Sequence, residues 1–478
     1  MAPSLRQAQP LWTAEEAERA TSGRSTKPWQ AEGVSIDSRS VRSGDLFVAL
    51  PGERVDGHDY VAAALAKGAA AALVERLPAG AEAAPLLLVP DALAGLTELG
   101  RHARRRSMAR FVAVTGSVGK TSTKEMLRLA LGAQRRTSAS EGNLNNQIGT
   151  PLSLARLAVE AEIGVFELGM NHPGEIAPIA RLTRPHIAII TNVEAVHLEA
   201  FVSEEAIADA KAEIFEGMEK GGIAILNRDN RHFDRLAAAA KVRGLTVKSF
   251  GESRGADFRL VQSLTQPGSV EVAADIAGTS IGYAMPVSGK HWAINSLAVL
   301  GAAHLLGLDL SRAASALGAI KAPKGRGERR TVRLAGGGSF ELIDDSYNAS
   351  PVAVRAALAV LGQIAPAPGA RRVFILGDMR ELGASGPALH AELAASVLAN
   401  HIDRLHTVGP LSQHLRQALP PTIQGLHAGT SEEMARLVSA DIRAGDVVTV
   451  KGSLGTNMAP IIKALAALDR PPGSERGA

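Results

Sequence analysis

Short apolar runs recur through this chain, each stopped by a glycine, a proline or a polar turn and followed by an Ala- and Leu-rich stretch. Bounded apolar runs of four to eight residues mark buried strands, and apolar residues at i, i+3 and i+4 between them mark helices. Over residues 30–107 the pattern predicts short strands and Ala-rich helices, including a strand at 45–50 and a helix at 60–67 that Gly68 closes. A second block opens on the β-branched run 111–114, passes a glycine-rich turn and continues as a helix over 120–131. Further buried strands are predicted at 163–168, 187–191 and 223–226, alternating with helical stretches. After the basic, glycine-rich segment 321–330 come strands at 340–344, 373–376 and 447–450 and helices at 352–364 and 386–399. Alternation of this kind predicts βαβ units, mainly parallel sheets and an α/β fold.

Length changes this picture by multiplying it. A chain of 478 residues is too long for one core, so two to four domains are expected. Aromatic residues are only 3% of the chain, which leaves Ala, Leu, Val and Ile to fill the cores. The net charge of +4, from 52 basic and 48 acidic residues, gives no argument for nucleic acid and is compatible with anionic substrates. The densest basic run, RHARRR at 101–106, reads as a solvated helix end before a strand. The absence of cysteine excludes disulfides, thiolate nucleophiles and Cys-ligated zinc, and fits a reducing cytoplasm. The N-terminus has no apolar core of a secretory signal, and the run 86–89 is closed by Pro85 and Pro90, far short of a membrane span. A cytoplasmic protein without membrane insertion is expected.

The strongest local signal for chemistry is TGSVGKT at 115–121. It stands between a predicted strand and a predicted helix, where glycines let backbone N–H groups converge on phosphate oxygens and the helix N-terminus adds its positive end. Gly116, Ser117, Val118, Gly119, Lys120, Thr121 and Ser122 form this candidate loop. Lys120 would reach the β- and γ-phosphates and the Thr121 hydroxyl a magnesium ion. The longer form of the motif has glycine where this chain has Val114. No Asn-Lys-x-Asp motif for reading guanine is present, and a motor ATPase should show a strand ending in Asp or Asp-Glu beside the loop. The nearest counterpart is IGVFE, whose terminal Glu167 would stand on the C-terminal rim beside the loop, as a metal ligand or as a surface carboxylate. His197, in TNVEAVHLE after the strand at 187–191, would occupy the same rim or serve a structural role. Two segments dense in Asn and Asp, EGNLNN at 141–146 and DDSYNASP at 344–351, read either as turns or as hydrogen-bonding surfaces for a sugar or peptide.

Together and in order, these motifs resemble those of the Mur ligases. The resemblance is carried by DSR at 37–39, GDLFVAL at 44–50, DGH at 56–58, TGSVGKTSTKEM, GNLNNQIGTPLSL, ELGMNHPGEIA, TNVEAVHLEAF, AKAEIF at 210–215, GKHWAINSLA, DDSYNASP, LGDMRELG and VKGS. It covers nearly the whole chain. It implies an N-terminal α/β substrate domain over 1–107, a central P-loop parallel-sheet ATPase domain over 108–320 and a C-terminal Rossmann-like domain over 321–470, with ATP between the last two. The polar residues 471–478 would be a disordered tail.

The resemblance also implies site roles. Ser38 and Arg39 would contact the uridine diphosphate end of a UDP-muramoyl substrate, and Asn143 and Asn146 would line its peptide. Thr121, Glu167, His197 and Lys211 would serve two Mg2+ ions. On spacing alone Lys211 reads as a solvated helix lysine; the resemblance makes it a lysine that is carbamylated, which requires an amine uncharged near neutral pH. Asn295 would meet the adenine, Arg326 the phosphates and Asp345 the ribose. Asn348 and Ser350 lie where an incoming dipeptide would bind, although the family's usual YNANP reads YNASP here; Leu454 follows VKGS where many relatives have Arg or Asn.

The implied activity joins D-alanyl-D-alanine to UDP-N-acetylmuramoyl-tripeptide with cleavage of ATP, through an acyl phosphate. A monomer is expected, with no nucleic-acid partner. The nearest competing reading is a sister ligase adding the third amino acid, but its Asp-Asn-Pro-Arg motif is missing and the chain has no Asn-Pro pair. A folylpolyglutamate synthase, a P-loop regulatory or motor ATPase and a non-catalytic UDP-sugar-binding protein also compete for parts of the pattern.

Overall fold

A computed structural model describes residues 9–470, apart from 53, 54, 79, 81, 82, 197 and 267. The predicted tail at 471–478 and His197 therefore lie outside the described residues. Three α/β layers follow one another along the chain. The first holds a five-stranded sheet in the order Arg24–Ser25, Leu86–Leu88, Ala71–Val74, Asp45–Val48, Gly33–Ser35, parallel except at its first pair. The second is built on nine strands in the order Thr279–Met285, Ser269–Ile276, Phe258–Gln266, Thr246–Gly251, Ile223–Asn227, Ile187–Ile190, Arg110–Thr115, Ile163–Glu167, Thr137–Ala139. From Thr137–Ala139 to Phe258–Gln266 neighbouring strands run parallel, and the last two are antiparallel. The third sheet runs Glu328–Arg333, Ser339–Asp345, Val447–Lys451, Arg372–Gly377, Arg404–Val408, Gln424–Ala428, parallel after its first, antiparallel pair.

Each predicted strand and helix has a counterpart within a few residues. The helix predicted at 386–399 runs as Gly386–Ala391 and Leu393–Ala399, with Glu392 between them still in the right-handed helical region. The antiparallel strands at 258–285 are absent from the predicted elements, although Val270, Val272, Ala274 and Ile276 alternate with exposed or half-exposed neighbours as a one-face-buried strand requires. Parallel strands sandwiched on both faces are apolar throughout, and Ile163–Glu167 and Ile187–Ile190 are buried at every position. One face of the central sheet packs on the helices Lys120–Gly132 and Lys290–Leu305, the other on Ile176–Thr183, Glu204–Ala212 and Phe233–Val242.

The first two units share a core. Leu152 and Ala155, on the helix Gly149–Ala155, pack into the cluster formed by Trp12, Leu46, Leu73, Leu87 and Leu96, and the Trp12 indole donates to the Ala155 carbonyl at 2.8 Å. The basic run at 101–106 is not merely a solvated helix end. Its helix, Ala92–Arg106, does end there, but Arg104 is buried and donates to the carbonyls of Thr183 and Arg184 at 2.7 and 2.9 Å, capping the C-terminal end of Ile176–Thr183. Arg106 pairs with Glu16 and lies over the Trp12 ring. By contrast, the third unit encloses two clusters of its own. No helix among the described residues is long and apolar enough to cross a membrane.

Candidate active site

The glycine-rich loop leaves the central strand Arg110–Thr115 and enters the helix Lys120–Gly132. Both glycines are required by space as well as by backbone. Gly116 has φ of +147°, and a Cβ there would collide with the Thr191 hydroxyl; at Gly119, with φ of +86°, it would come within 2.6 Å of the Asn295 amide nitrogen. Thr191 in turn donates its hydroxyl to the Val118 carbonyl at 2.6 Å, fixing the loop to the next strand. Val114 is a fully buried strand residue facing Glu167 and Ile189 across the sheet, so the loop begins two residues later than in the longer motif and no glycine is needed there. Lys120 folds back over the loop and donates to the Gly116 carbonyl at 2.7 Å. Burial lowers its pKa; Glu167 works in the opposite direction and Arg326 in the same one.

Glu167 ends its strand in register with Val114, at the C-terminal rim. One carboxylate oxygen accepts from the Asn145 amide at 2.7 Å, whereas Oε2 is buried with no hydrogen-bond partner. Lys211, on the helix Glu204–Ala212, is 2% exposed and pairs with no acid or acceptor among the described residues. Burial above all, and Lys120 next, push its amine well below the ordinary lysine range. It is therefore not a solvated helix lysine. Among the described residues there is no cluster of three or more His, Asp or Glu side chains that could by itself hold a metal.

The third unit supplies an opposing wall across a cleft of about 1110 Å³. There the Arg326 guanidinium lies 4.3 Å above the Tyr347 ring. Asp345 and Lys451 are register partners on parallel strands, and the lysine donates to the Asp345 carboxylate at 2.6 Å and to the Asn348 carbonyl at 3.0 Å. Burial pushes the Asp345 carboxyl above the ordinary carboxylate range, against the pull of Lys451 and Arg326. The residues 117–122, Asn143, Asn146, Glu167, Asn295, Arg326, Asp345, Asn348 and Ser350 all line this cleft.

Some expected residues stand differently. Ser38 and Arg39 do not line the cleft; Arg39 is exposed on the first unit, its guanidinium paired with Asp37 at 2.7 Å. Asn146 accepts from the N–H groups of Ile148 and Gly149 in the turn ahead of the helix Gly149–Ala155, and Ser350 is the N-cap of Pro351–Gly362, accepting from Ala353, so backbone engages both side chains at the cleft's edge. Asn348 accepts from its neighbour's N–H, at Ala349. The asparagine that touches Glu167 is Asn145, which no sequence signal distinguishes from Asn143 or Asn146. Lys451 is a second site residue that sequence reasoning misses, although it belongs to the VKGS motif.

A phosphate loop on the rim of a parallel sheet, facing Arg326 and an Asp–Lys pair on a second α/β unit across one cleft, is the arrangement of a P-loop enzyme. Three family descriptions match the chain: the Mur ligase family catalytic domain over residues 30–96, the Mur ligase middle domain over 114–303, and the Mur ligase glutamate ligase domain over 326–454. The chain belongs to the Mur ligase family. It is 37% identical to the UDP-N-acetylmuramoyl-tripeptide–D-alanyl-D-alanine ligase of Escherichia coli (strain K12), over 91% of this chain and 93% of that one. The ligase of that name from Rickettsia prowazekii (strain Madrid E) is 35% identical over 90% and 94%. Among solved structures, MurF from Acinetobacter baumannii aligns with a TM-score of 0.82 at 32% identity, covering 96% of this chain and 99% of that one. MurF from Thermotoga maritima in complex with ADP aligns at 0.75 and 27% identity, covering 91% and 97%.

Proposed function

We infer that this chain is the ATP-dependent ligase that joins D-alanyl-D-alanine to UDP-N-acetylmuramoyl-tripeptide, the last amino-acid addition in the cytoplasmic synthesis of the peptidoglycan precursor. The observation that carries this reading is the glycine loop facing Arg326, Asp345 and Lys451 across one cleft, in a chain matched along nine-tenths of its length by ligases of that name.

In the reaction an oxygen of the tripeptide's terminal carboxylate attacks the γ-phosphorus of ATP, the bond to ADP breaks, and an acyl phosphate forms. The free amine of the dipeptide then attacks the acyl carbon, phosphate leaves with the bonding pair, and the nitrogen loses a proton. All the reacting groups of the first step are anionic, so positioning and charge neutralisation dominate. The N–H groups of the loop cradle the phosphates, Lys120 swings from the Gly116 carbonyl onto them, and Arg326 meets them from the other wall. Asn295 lies against the loop at Gly119, where it can receive the adenine, and Asp345 takes the ribose. Asn143, Asn146, Asn348 and Ser350 border the space left for the peptide and dipeptide, and Ser38 and Arg39 hold the uridine diphosphate end. A closed cleft keeps water from the acyl phosphate.

The residues suit magnesium. A buried carboxylate oxygen without a partner, Glu167 Oε2, is what a divalent cation would complete, and the Thr121 hydroxyl stands in the first turn of the loop helix. His197 and Lys211 would complete a two-ion site. When bound, the ions offset the charge gathering on the β- and γ-phosphates. A neutral Lys211 amine can add CO2, forming an N–C bond and releasing a proton, and so present a carboxylate in place of an ammonium. The test is an ADP-release assay with UDP-N-acetylmuramoyl-tripeptide, with and without D-alanyl-D-alanine. Turnover that needs both is expected; ATP hydrolysis indifferent to either would overturn the reading.

A further inference from the structure

We propose that Lys124 is a positioning residue, which ties the asparagine loop at 142–146 to the phosphate-loop helix and thereby orients the Glu167 carboxylate; this rests on the role given to Glu167 above. Lys124 lies one helical turn beyond Lys120, and its side chain is wholly buried. Its ammonium donates to the Gly142 carbonyl at 3.0 Å and pairs with Glu125 at 3.0 Å. Burying an ammonium is unfavourable even when it is paired, and an aliphatic side chain would fill the same space, so a lysine here needs a task.

The task follows from what Gly142 leads to. Three residues on, Asn145 donates its amide to Glu167 Oε1 at 2.7 Å, and its carbonyl accepts from the Gly169 N–H at 2.8 Å. At Gly142 itself, with φ of +52°, nothing lies within 4 Å of where a Cβ would be, so Lys124 holds the loop's start from inside while its outer side is open. Of the other side-chain ties nearby, the buried Ser140 hydroxyl accepts the Glu167 N–H at 3.1 Å and so holds backbone and not the carboxylate, and Arg156 to Glu141 at 2.9 Å is an ion pair whose carboxylate is 71% exposed, the kind that contributes little. Lys124 does not line the cleft. It acts through Asn145, and Glu167 then has one oxygen fixed and the other free for a cation.

The experiment is a double-mutant cycle on the full chain, read in the ADP-release assay with both substrates. Lys124→Met and Asn145→Ala are each expected to lower kcat about tenfold and to raise the half-saturating Mg2+ concentration, with KM for ATP within about twofold of the parent. The double variant should be no worse than either single one, and Lys124→Arg, which keeps a donor, should recover most of kcat. An additive loss near a hundredfold would overturn the proposal, as would an unchanged kcat and Mg2+ response in Lys124→Met, whatever its Tm. Should Lys124→Met not fold, Lys124→Gln carries the same cycle. Glu167→Ala separates the two levels of inference. Full activity there removes the role of Glu167 itself, whereas inactivity there with additive single effects removes only the tether.

Discussion

The two walls of the cleft are built by different means. The near wall, at 116–122, is made of backbone: two glycines, a helix N-terminus and a lysine folded onto its own loop. The far wall is made of side chains brought together from distant segments, with Arg326 over Tyr347 and Lys451 reaching Asp345 from 106 residues away. A backbone cradle depends on its own few residues. A side-chain cradle depends on the fold that aligns it. Damage to the near wall should therefore appear in the chemistry, and damage to the far wall in stability as well.

The largest expected effect is at the near wall. Lys120→Ala should lower kcat/KM by roughly a thousandfold, about 4 kcal/mol, with an unchanged circular dichroism spectrum. A variant keeping a tenth of the activity would show that phosphate charge is neutralised elsewhere. Glu167→Gln keeps the shape and removes the charge. It should cost about a hundredfold in kcat and demand more Mg2+, and chelating the divalent cations should stop ADP release altogether. The far wall supplies the contrast. Lys451→Met leaves the Asp345 carboxylate without its cation, so the C-terminal unit should lose about 3 kcal/mol in urea unfolding at neutral pH. If that variant loses activity but no stability, the division between the walls is wrong.

The smallest effect is one of pH, at the opposite end of the strand that carries the near wall. There His186 accepts from the Phe111 N–H at 2.9 Å, and burial, helped by Arg110 and Arg104, pushes its pKa from 6.5 to about 4. The unfolded chain takes up a proton below about 6.5 that the native chain refuses until about 4. Stability from this group is thus complete above about pH 6.5 and declines as pH falls toward about 4, by about 1–2 kcal/mol for a partly exposed ring. His186→Asn keeps an acceptor without the titration, so thermal melts at about pH 7.5 and about pH 5 should differ less than in the parent.

The same contrast explains how much is legible in the sequence. The glycine loop, Glu167 at its strand end and the alternation of strands and helices are local signals, and all are where the pattern puts them. Asn145 cannot be told from its neighbours because the direction of a side chain in a loop depends on what packs beneath it. Lys451 and Asp345 meet only because two strands align in one register. Arg104 reads as solvated because its partners, Thr183 and Arg184, lie some 80 residues away in the chain. The depressed amine of Lys211 is likewise a property of burial that no helical spacing encodes; only the family resemblance points to it.

The core shared by Trp12, Leu96, Leu152 and Ala155 bears on how the chain can be divided. A cut near residue 107 would strip the helix Gly149–Ala155 of its apolar cover and leave the Ala155 carbonyl without the Trp12 donor. A cut near 320 separates units whose buried core residues are already distinct, with, among the described residues, only the half-buried Leu198 and Ala322 packing across it. Cotranslational folding meets the same asymmetry: the first hundred residues leave the ribosome with an unfinished interior and must wait for residues 149–155, while the last unit carries its buried core residues within itself.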